Sequence, residues 1–113
     1  MIKLLVVDGN PRSLGVVAAF MREYADDIVV TTTDTPDRAL RMYEEGRPDV
    51  VAIDASGRGP RLAGTMCDKQ PRPYIILMSD VDMPQEQWLP VADTFYNKGT
   101  SMNGLLGAVR SVS

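Results

Sequence analysis

The sequence predicts an α/β protein in which a five-stranded parallel sheet is covered by helices on both faces, a doubly wound three-layer α/β/α arrangement. Three observations carry this expectation. Short apolar runs rich in β-branched residues recur along the chain, as in Val50-Val51-Ala52-Ile53, and such runs suit strands buried on both faces. They alternate with segments whose apolar residues follow helical spacing. Several of the runs end in a polar residue, which in a parallel sheet lies beyond the carboxyl edge, where the functional crevice opens.

Ile2 to Val7 reads as the first strand and is closed by Asp8. Gly9-Asn10-Pro11 turns into a helix, with Asn10 placed to cap backbone N–H groups and Pro11 preset for the first helical position. Leu14, Val17, Ala18 and Met21 share one face, so this helix runs to about Tyr24. Asp26-Asp27 begin the return into a second strand, Ile28-Val29-Val30-Thr31-Thr32. Thr35-Pro36-Asp37 repeats the cap-and-proline device, Ala39, Leu40 and Tyr43 give the core face, and Gly46 offers a left-handed stop. The third strand is Val50 to Asp54.

Ser56 to Pro60 reads as a Gly-rich loop, followed by a weakly patterned helix in which Leu62, Ala63 and Met66 face the core. Pro71 and Pro73 lead into the fourth strand, Tyr74-Ile75-Ile76-Leu77-Met78, which ends in Ser79-Asp80. Pro84 to Leu89 reads as a short helix that Pro90 either ends or kinks. Thr94-Phe95-Tyr96 is a brief fifth strand leading to Asn97-Lys98-Gly99. Met102, Leu105, Leu106, Val109 and Val112 mark the last helix. Gly104 and Gly107 each cost it about 1 kcal/mol relative to Ala, so packing must hold it.

Length and composition limit the rest. A chain of 113 residues supports one hydrophobic core and one domain, residues 1–113. With 44% hydrophobic and 24% charged residues it is ordinary for a globular protein, and a formal charge of −3 offers no basic surface for nucleic acid. The first residues carry no export signal, no apolar run reaches membrane-spanning length, and the single Cys67 cannot form an internal disulfide. A reducing cytoplasm is the expected setting. The absence of histidine excludes Ser/His/Asp triads and histidine metal sites, and it leaves Cys67 to be read as a small buried hydrophobe. Any chemistry must use carboxylates, lysine, hydroxyls and backbone groups.

Such groups stand at the strand ends. Asp8, Asp54, Ser79 and Lys98 follow the first, third, fourth and fifth strands, so a parallel sheet would collect them on one rim although they are distant in sequence. Taken singly, each has an ordinary reading: the acids as turn-formers or helix caps, Ser79 as a loop hydroxyl, Lys98 as a solvated cation. Together, two carboxylates suit a hard divalent cation such as Mg²⁺, which takes one or two carboxylates plus waters and phosphate oxygens. The lysine and the hydroxyl would then contact a phosphoryl group. The Ser56-Gly57-Arg58-Gly59-Pro60 loop lacks the Lys-Ser/Thr pair of a phosphate-binding P-loop and reads as a connection.

These residues, in this order, resemble the receiver domain of two-component response regulators. The resemblance runs from Leu4-Leu5-Val6-Val7-Asp8 through Pro48-Asp49-Val50-Val51-Ala52-Ile53-Asp54 and Ile75-Ile76-Leu77-Met78-Ser79 to Phe95-Tyr96-Asn97-Lys98. It implies a flavodoxin-like fold and a phosphorelay in which Asp54 accepts a phosphoryl group from a sensor histidine kinase, a phosphotransfer protein or a small phosphodonor. It further implies Mg²⁺ held by Asp8, Asp54 and the backbone carbonyl of Ser56. Ser79 would be the switch hydroxyl, Lys98 the phosphate-pairing base, and Phe95 the aromatic whose rotation reports phosphorylation. The surface formed by the fourth helix, fifth strand and fifth helix, near Trp88, would meet an effector, an output domain or a second copy of the chain.

The departures from that pattern have consequences of their own. Gly9 stands where the family usually carries a second acid, which implies weakened magnesium affinity. Asp80 follows the switch hydroxyl where a small residue is usual, and it would either repel the incoming phosphoryl group or partly replace the missing ligand. Gly99 replaces the usual proline after Lys98, so the cis peptide expected there is not implied. The Asp54 to Ser79 segment is shorter than usual, which points to a remodelled third helix. Two rival readings follow: a pseudo-receiver that binds partners without being phosphorylated, favoured by Gly9 and Asp80, and a small flavodoxin-like binder of a nucleotide or flavin, which has no Gly-rich fingerprint to support it.

Overall fold

The computed structural model describes residues 1–113. Five strands alternate with five helices: β1 (Ile2–Val7), α1 (Pro11–Tyr24), β2 (Ile28–Thr33), α2 (Pro36–Gly46), β3 (Val50–Asp54), α3 (Gly59–Cys67), β4 (Tyr74–Ser79), α4 (Gln85–Trp88), β5 (Thr94–Asn97) and α5 (Met102–Arg110). All strand pairs are parallel, and the order across the sheet is β2-β1-β3-β4-β5. The chain therefore reverses its direction of travel across the sheet at β1 and β3, and a crevice opens between their carboxyl ends.

Why the strands are so uniformly apolar is plain from the two cores. On one face Leu4, Val6, Ala52, Ile76 and Met78 pack against Val17 and Met21 of α1 and Leu105 and Val109 of α5. On the other, Leu5, Val7, Val51, Ile53, Ile75 and Leu77 pack against α2 and α3 through Ala39, Tyr43, Leu62, Ala63 and Met66. Successive residues of one strand thus enter opposite cores, and the alternation that marks a half-exposed strand disappears. Burying a side chain such as Leu77 fully contributes roughly 1.5–3 kcal/mol relative to leaving it exposed.

Local signals set most element starts. The Asn10 side chain accepts the N–H groups of Arg12 and Ser13 at 3.0 and 3.4 Å, and Thr35 accepts that of Arg38 at 3.3 Å. Each is followed by a proline in the first turn, as the sequence indicates.

Four details depart from expectation. The left-handed residue ending α2 is Arg47 (φ 47°), not Gly46: the helix runs one residue further, the Arg47 N–H bonds the Tyr43 carbonyl at 2.8 Å, and its guanidinium lies 5.3 Å from the Tyr43 ring centre. Residues 59 and 60 of the Gly-rich loop already belong to α3, with Pro60 in its first turn. Val112 lies beyond α5 and is exposed, so it contributes nothing to that helix's core face. Cys67 is only partly buried, its Sγ donating to the Val91 carbonyl at 3.2 Å and accepting from Arg72 at 3.6 Å. The cis peptide in the chain is Gln70–Pro71, away from Lys98–Gly99. No helix is long and apolar enough to cross a membrane.

Candidate functional site

Parallel register brings the strand ends together. Val7 of β1 pairs with Ile53 of β3, so Asp8 and Asp54 follow side by side at the switch point. Asp54 pairs with Met78 and Ser79 pairs with Asn97, and the Lys98 N–H donates to the Ser79 carbonyl at 2.8 Å. The four residues named from the sequence line one cleft of about 960 Å³, together with Ser56 and Asp80.

Within it, the Lys98 ammonium bridges the two acids. Its Nζ lies 2.5 Å from Asp8 Oδ2 and 2.6 Å from Asp54 Oδ1. The Asp8 side chain is only 3% exposed, that of Asp54 13% and that of Lys98 14%, so the triad is largely screened from water. Asp8 Oδ1 accepts the Asn10 N–H at 2.9 Å, which ties the acid to the start of α1. Asp54 Oδ2 accepts the Ser56 N–H at 3.1 Å and also the Ser56 hydroxyl.

The electrostatics follow from those contacts. Burial works against the charge of Asp54, yet hydrogen bonds from Lys98 and Ser56 outweigh it and hold the carboxyl below its ordinary range. Burial likewise works against the charge of Lys98, but its bonds to Asp54 and Asp8 prevail and raise its pKa. The site is thus a charged triad with net charge −1, from two carboxylates and one ammonium.

The loop after β3 is shaped by two glycines. Gly57 takes φ +57°, open to glycine at no steric cost. At Gly59 a Cβ would fall 1.8 Å from the Asp54 carbonyl oxygen, so only glycine lets α3 begin against the end of β3. The Gly59 N–H donates to the Ser56 carbonyl at 3.0 Å. That carbonyl keeps a second lone pair, so one of its two acceptor positions remains for a cation.

The other expected residues occupy the rim or its flank. Ser79 lines the cleft, and its hydroxyl accepts the Val81 N–H at 3.3 Å. Phe95 is half-buried on β5 and stacks on Trp88, with ring centres 6.3 Å apart and planes 20° from parallel. Asp80 is exposed at the cleft edge, and no group of three or more acids, cysteines or histidines converges here or elsewhere. The hard oxygens a divalent cation such as Mg²⁺ could take here are two carboxylates and one carbonyl, with one oxygen of each acid already on Lys98.

Two features escaped the sequence reading. One is the Ser56 side chain, although the Asp-x-Ser spacing of a local side-chain-to-backbone turn was there to be noticed. The other is Gly59, whose role depends on the approach of α3. A second cleft, of about 690 Å³, opens at the amino edge of the sheet, but its arginines are engaged, Arg72 with Asp93 at 2.8 Å and Arg47 with Glu44 at 3.6 Å.

No family model matches the chain. In sequence it is similar to the transcriptional regulatory protein BtsR of Escherichia coli K12, at 30% identity over 86 residues covering 73% of this chain and 35% of BtsR. The chain thus spans about a third of the length of the curated relatives it matches. In structure it superposes on the receiver domain of the Francisella response regulator 1452 with a TM-score of 0.85 at 20% identity, covering 99% of this chain and 96% of that one. The response regulator TrrA of Thermotoga maritima, solved with Mg²⁺ and beryllofluoride, gives a TM-score of 0.85 at 23% identity over the whole of both chains. TrrA in complex with the histidine kinase ThkA gives 0.84 at 23% identity, covering 99% and 98%. The fold is therefore the flavodoxin-like fold of response regulator receiver domains, as the strand-end residues implied.

Proposed function

We propose that residues 1–113 form one receiver domain of a two-component phosphorelay, with Asp54 as the phosphoacceptor. The observation that carries this reading is the meeting of Asp8, Asp54 and Lys98 at the β1/β3 switch point, inside an open cleft. In this reading the Asp54 carboxylate attacks the phosphorus of a phosphohistidine or small phosphodonor in line with the leaving group. Lys98, already at hydrogen-bonding distance from Asp54, pairs with the phosphoryl oxygens, and Ser79 across the cleft turns its hydroxyl inward to a third. Asp8, Asp54 and the Ser56 carbonyl would hold Mg²⁺, which supplies charge neutralisation when bound.

A histidine kinase is the proposed donor, in line with the kinase complex of TrrA. An effector or output domain is the proposed recipient, in line with the longer transcriptional regulator BtsR. Movement of Ser79 would let Phe95 shift, altering the surface of α4, β5 and α5 as a change in a pre-existing equilibrium. That surface is proposed for effector contact or homodimer formation. The free Cys67 suits a cytoplasmic setting.

A pseudo-receiver is the second reading. It draws on Gly9 and on the Lys98 bridge, which already neutralises much of the acid charge a metal would need. Incubation with acetyl phosphate and Mg²⁺, followed by intact mass measurement, decides between them. One phosphoryl group added to the protein and absent from Asp54→Asn is the expected result. No mass gain at any magnesium concentration removes the acceptor reading and leaves the pseudo-receiver.

A further inference from the structure

We propose that the Asn97 side chain positions Lys98 and couples it to the segment between β4 and α4, so that the lysine and Ser79 meet an incoming phosphoryl group as one unit. The inference deepens the phosphoacceptor reading above and rests on it. Lys98 carries its ammonium on a flexible four-carbon stem, yet its Nζ reaches both acids, at 2.5 and 2.6 Å. Its backbone therefore has to be fixed.

On one side the Lys98 N–H donates to the Ser79 carbonyl at 2.8 Å. On the other the chain turns through Gly99, whose N–H donates to Asn97 Oδ1 at 2.8 Å. Thr100 closes the turn by donating its N–H and its hydroxyl to the Asn97 carbonyl, at 3.0 and 2.7 Å. A proline after the lysine would fix its own φ but would have no N–H to give. Gly99 supplies that donor, and a Cβ there would fall 3.1 Å from Asn97 Oδ1, so a larger residue would press on the accepting oxygen.

The other end of the same carboxamide leaves the strand: Asn97 Nδ2 donates to Asp82 Oδ1 at 2.7 Å. A backbone N–H can only donate and a carboxylate can only accept, so the two bonds together fix which way the carboxamide points. Asp82 belongs to the segment that follows Ser79, whose hydroxyl accepts the Val81 N–H at 3.3 Å. Ser79 and Asn97 also stand opposite each other in the register of β4 and β5. One half-buried side chain thus ties the turn that carries the lysine to the loop that carries the hydroxyl.

An exchange of the two side chains tests this. Asn97→Asp keeps an acceptor for Gly99 but sets two carboxylates against each other, and adding Asp82→Asn restores the bond with donor and acceptor exchanged and the net charge unaltered. Wild type, Asn97→Ala, Asn97→Asp and the double variant are loaded with acetyl phosphate and Mg²⁺ and followed by intact mass, with urea unfolding of each protein alongside. Both single variants at Asn97 are expected to load about tenfold more slowly than wild type, and the double variant to return to within about twofold of it. A purely structural asparagine would shift the urea midpoint without that return of rate. If Asn97→Ala does not fold, the exchange decides alone. Single variants that load at the wild-type rate, or a double variant as slow as Asn97→Asp, overturn the inference and leave the phosphoacceptor reading intact. Absence of label from wild type overturns both.

Discussion

Lys98 sits between two carboxylates, almost out of water, and its charge governs theirs. Asp54 has a folded pKa below its ordinary 3.8, so the stability it contributes is present above that value and is lost as pH falls through the depressed folded one. Lys98 has a folded pKa above its ordinary 10.5, so its contribution is complete below that value and is lost as pH rises through the raised folded one. Between 3.8 and 10.5 the pair should therefore contribute a constant amount. Replacing Lys98 by Met leaves two carboxylates facing each other without a cation, a change expected to cost about 3 kcal/mol at neutral pH. Urea unfolding over a pH series checks this: the deficit of the variant should shrink on acidification, because two facing carboxylates take up a proton at a higher pH than the same acids in the unfolded chain. A Lys98→Met protein as stable as wild type at neutral pH would show the bridge to be energetically idle. At this scale the sequence exposed the charged groups but not their partners, because Asp8 and Lys98 are linked only by folding.

Among the elements, α5 illustrates a helix that packing sustains against its own composition. Leu105 and Val109 are fully buried and Leu106 nearly so, while Gly104 and Gly107 lie in the helix with exposed surroundings. A Cβ at Gly107 would meet nothing within 4 Å, so Gly107→Ala should stabilise the protein by about 0.5–1 kcal/mol, read as a raised thermal midpoint. A lowered midpoint would mean that this backbone does more than span the turn. The third and fourth helices were harder to read from sequence for opposite reasons. α3 begins inside a stretch whose glycines argue for a loop, because the close approach to Asp54 demands one of those glycines. α4 shrinks to four residues between prolines, too short to declare itself by periodicity.

Across the whole molecule, the rim and the outer surface are joined through β5. Lys98 follows the end of that strand, Phe95 lies three residues earlier, and Phe95 stacks on Trp88 of α4, the single tryptophan of the chain. In the proposed reading, a change at Asp54 that draws Ser79 or Lys98 inward has a short path to Trp88. Adding beryllofluoride with Mg²⁺ should alter the Trp88 emission, and the alteration should vanish in Asp54→Asn. Unchanged emission in a protein shown by mass to accept phosphate would disconnect the site from the α4 and β5 surface. The resemblance pointed to Phe95 and to the surface near Trp88, but the stack between the two could not be read along the chain, since they belong to separate elements brought together only by folding.

What the sequence alone determined is the succession of strands and helices, the parallel sheet, and the chemical identity of the groups at its rim. Apolar runs, caps and prolines act over a few residues and need no distant partner, so they are written locally. Tertiary structure decided which oxygen each donor meets, that Lys98 joins Asp8 to Asp54, that Ser56 takes the other oxygen of Asp54, and that Gly59 must be a glycine. Those outcomes depend on distances of a few ångströms between segments far apart in the chain. Only the packing of helices onto a twisted sheet sets such distances.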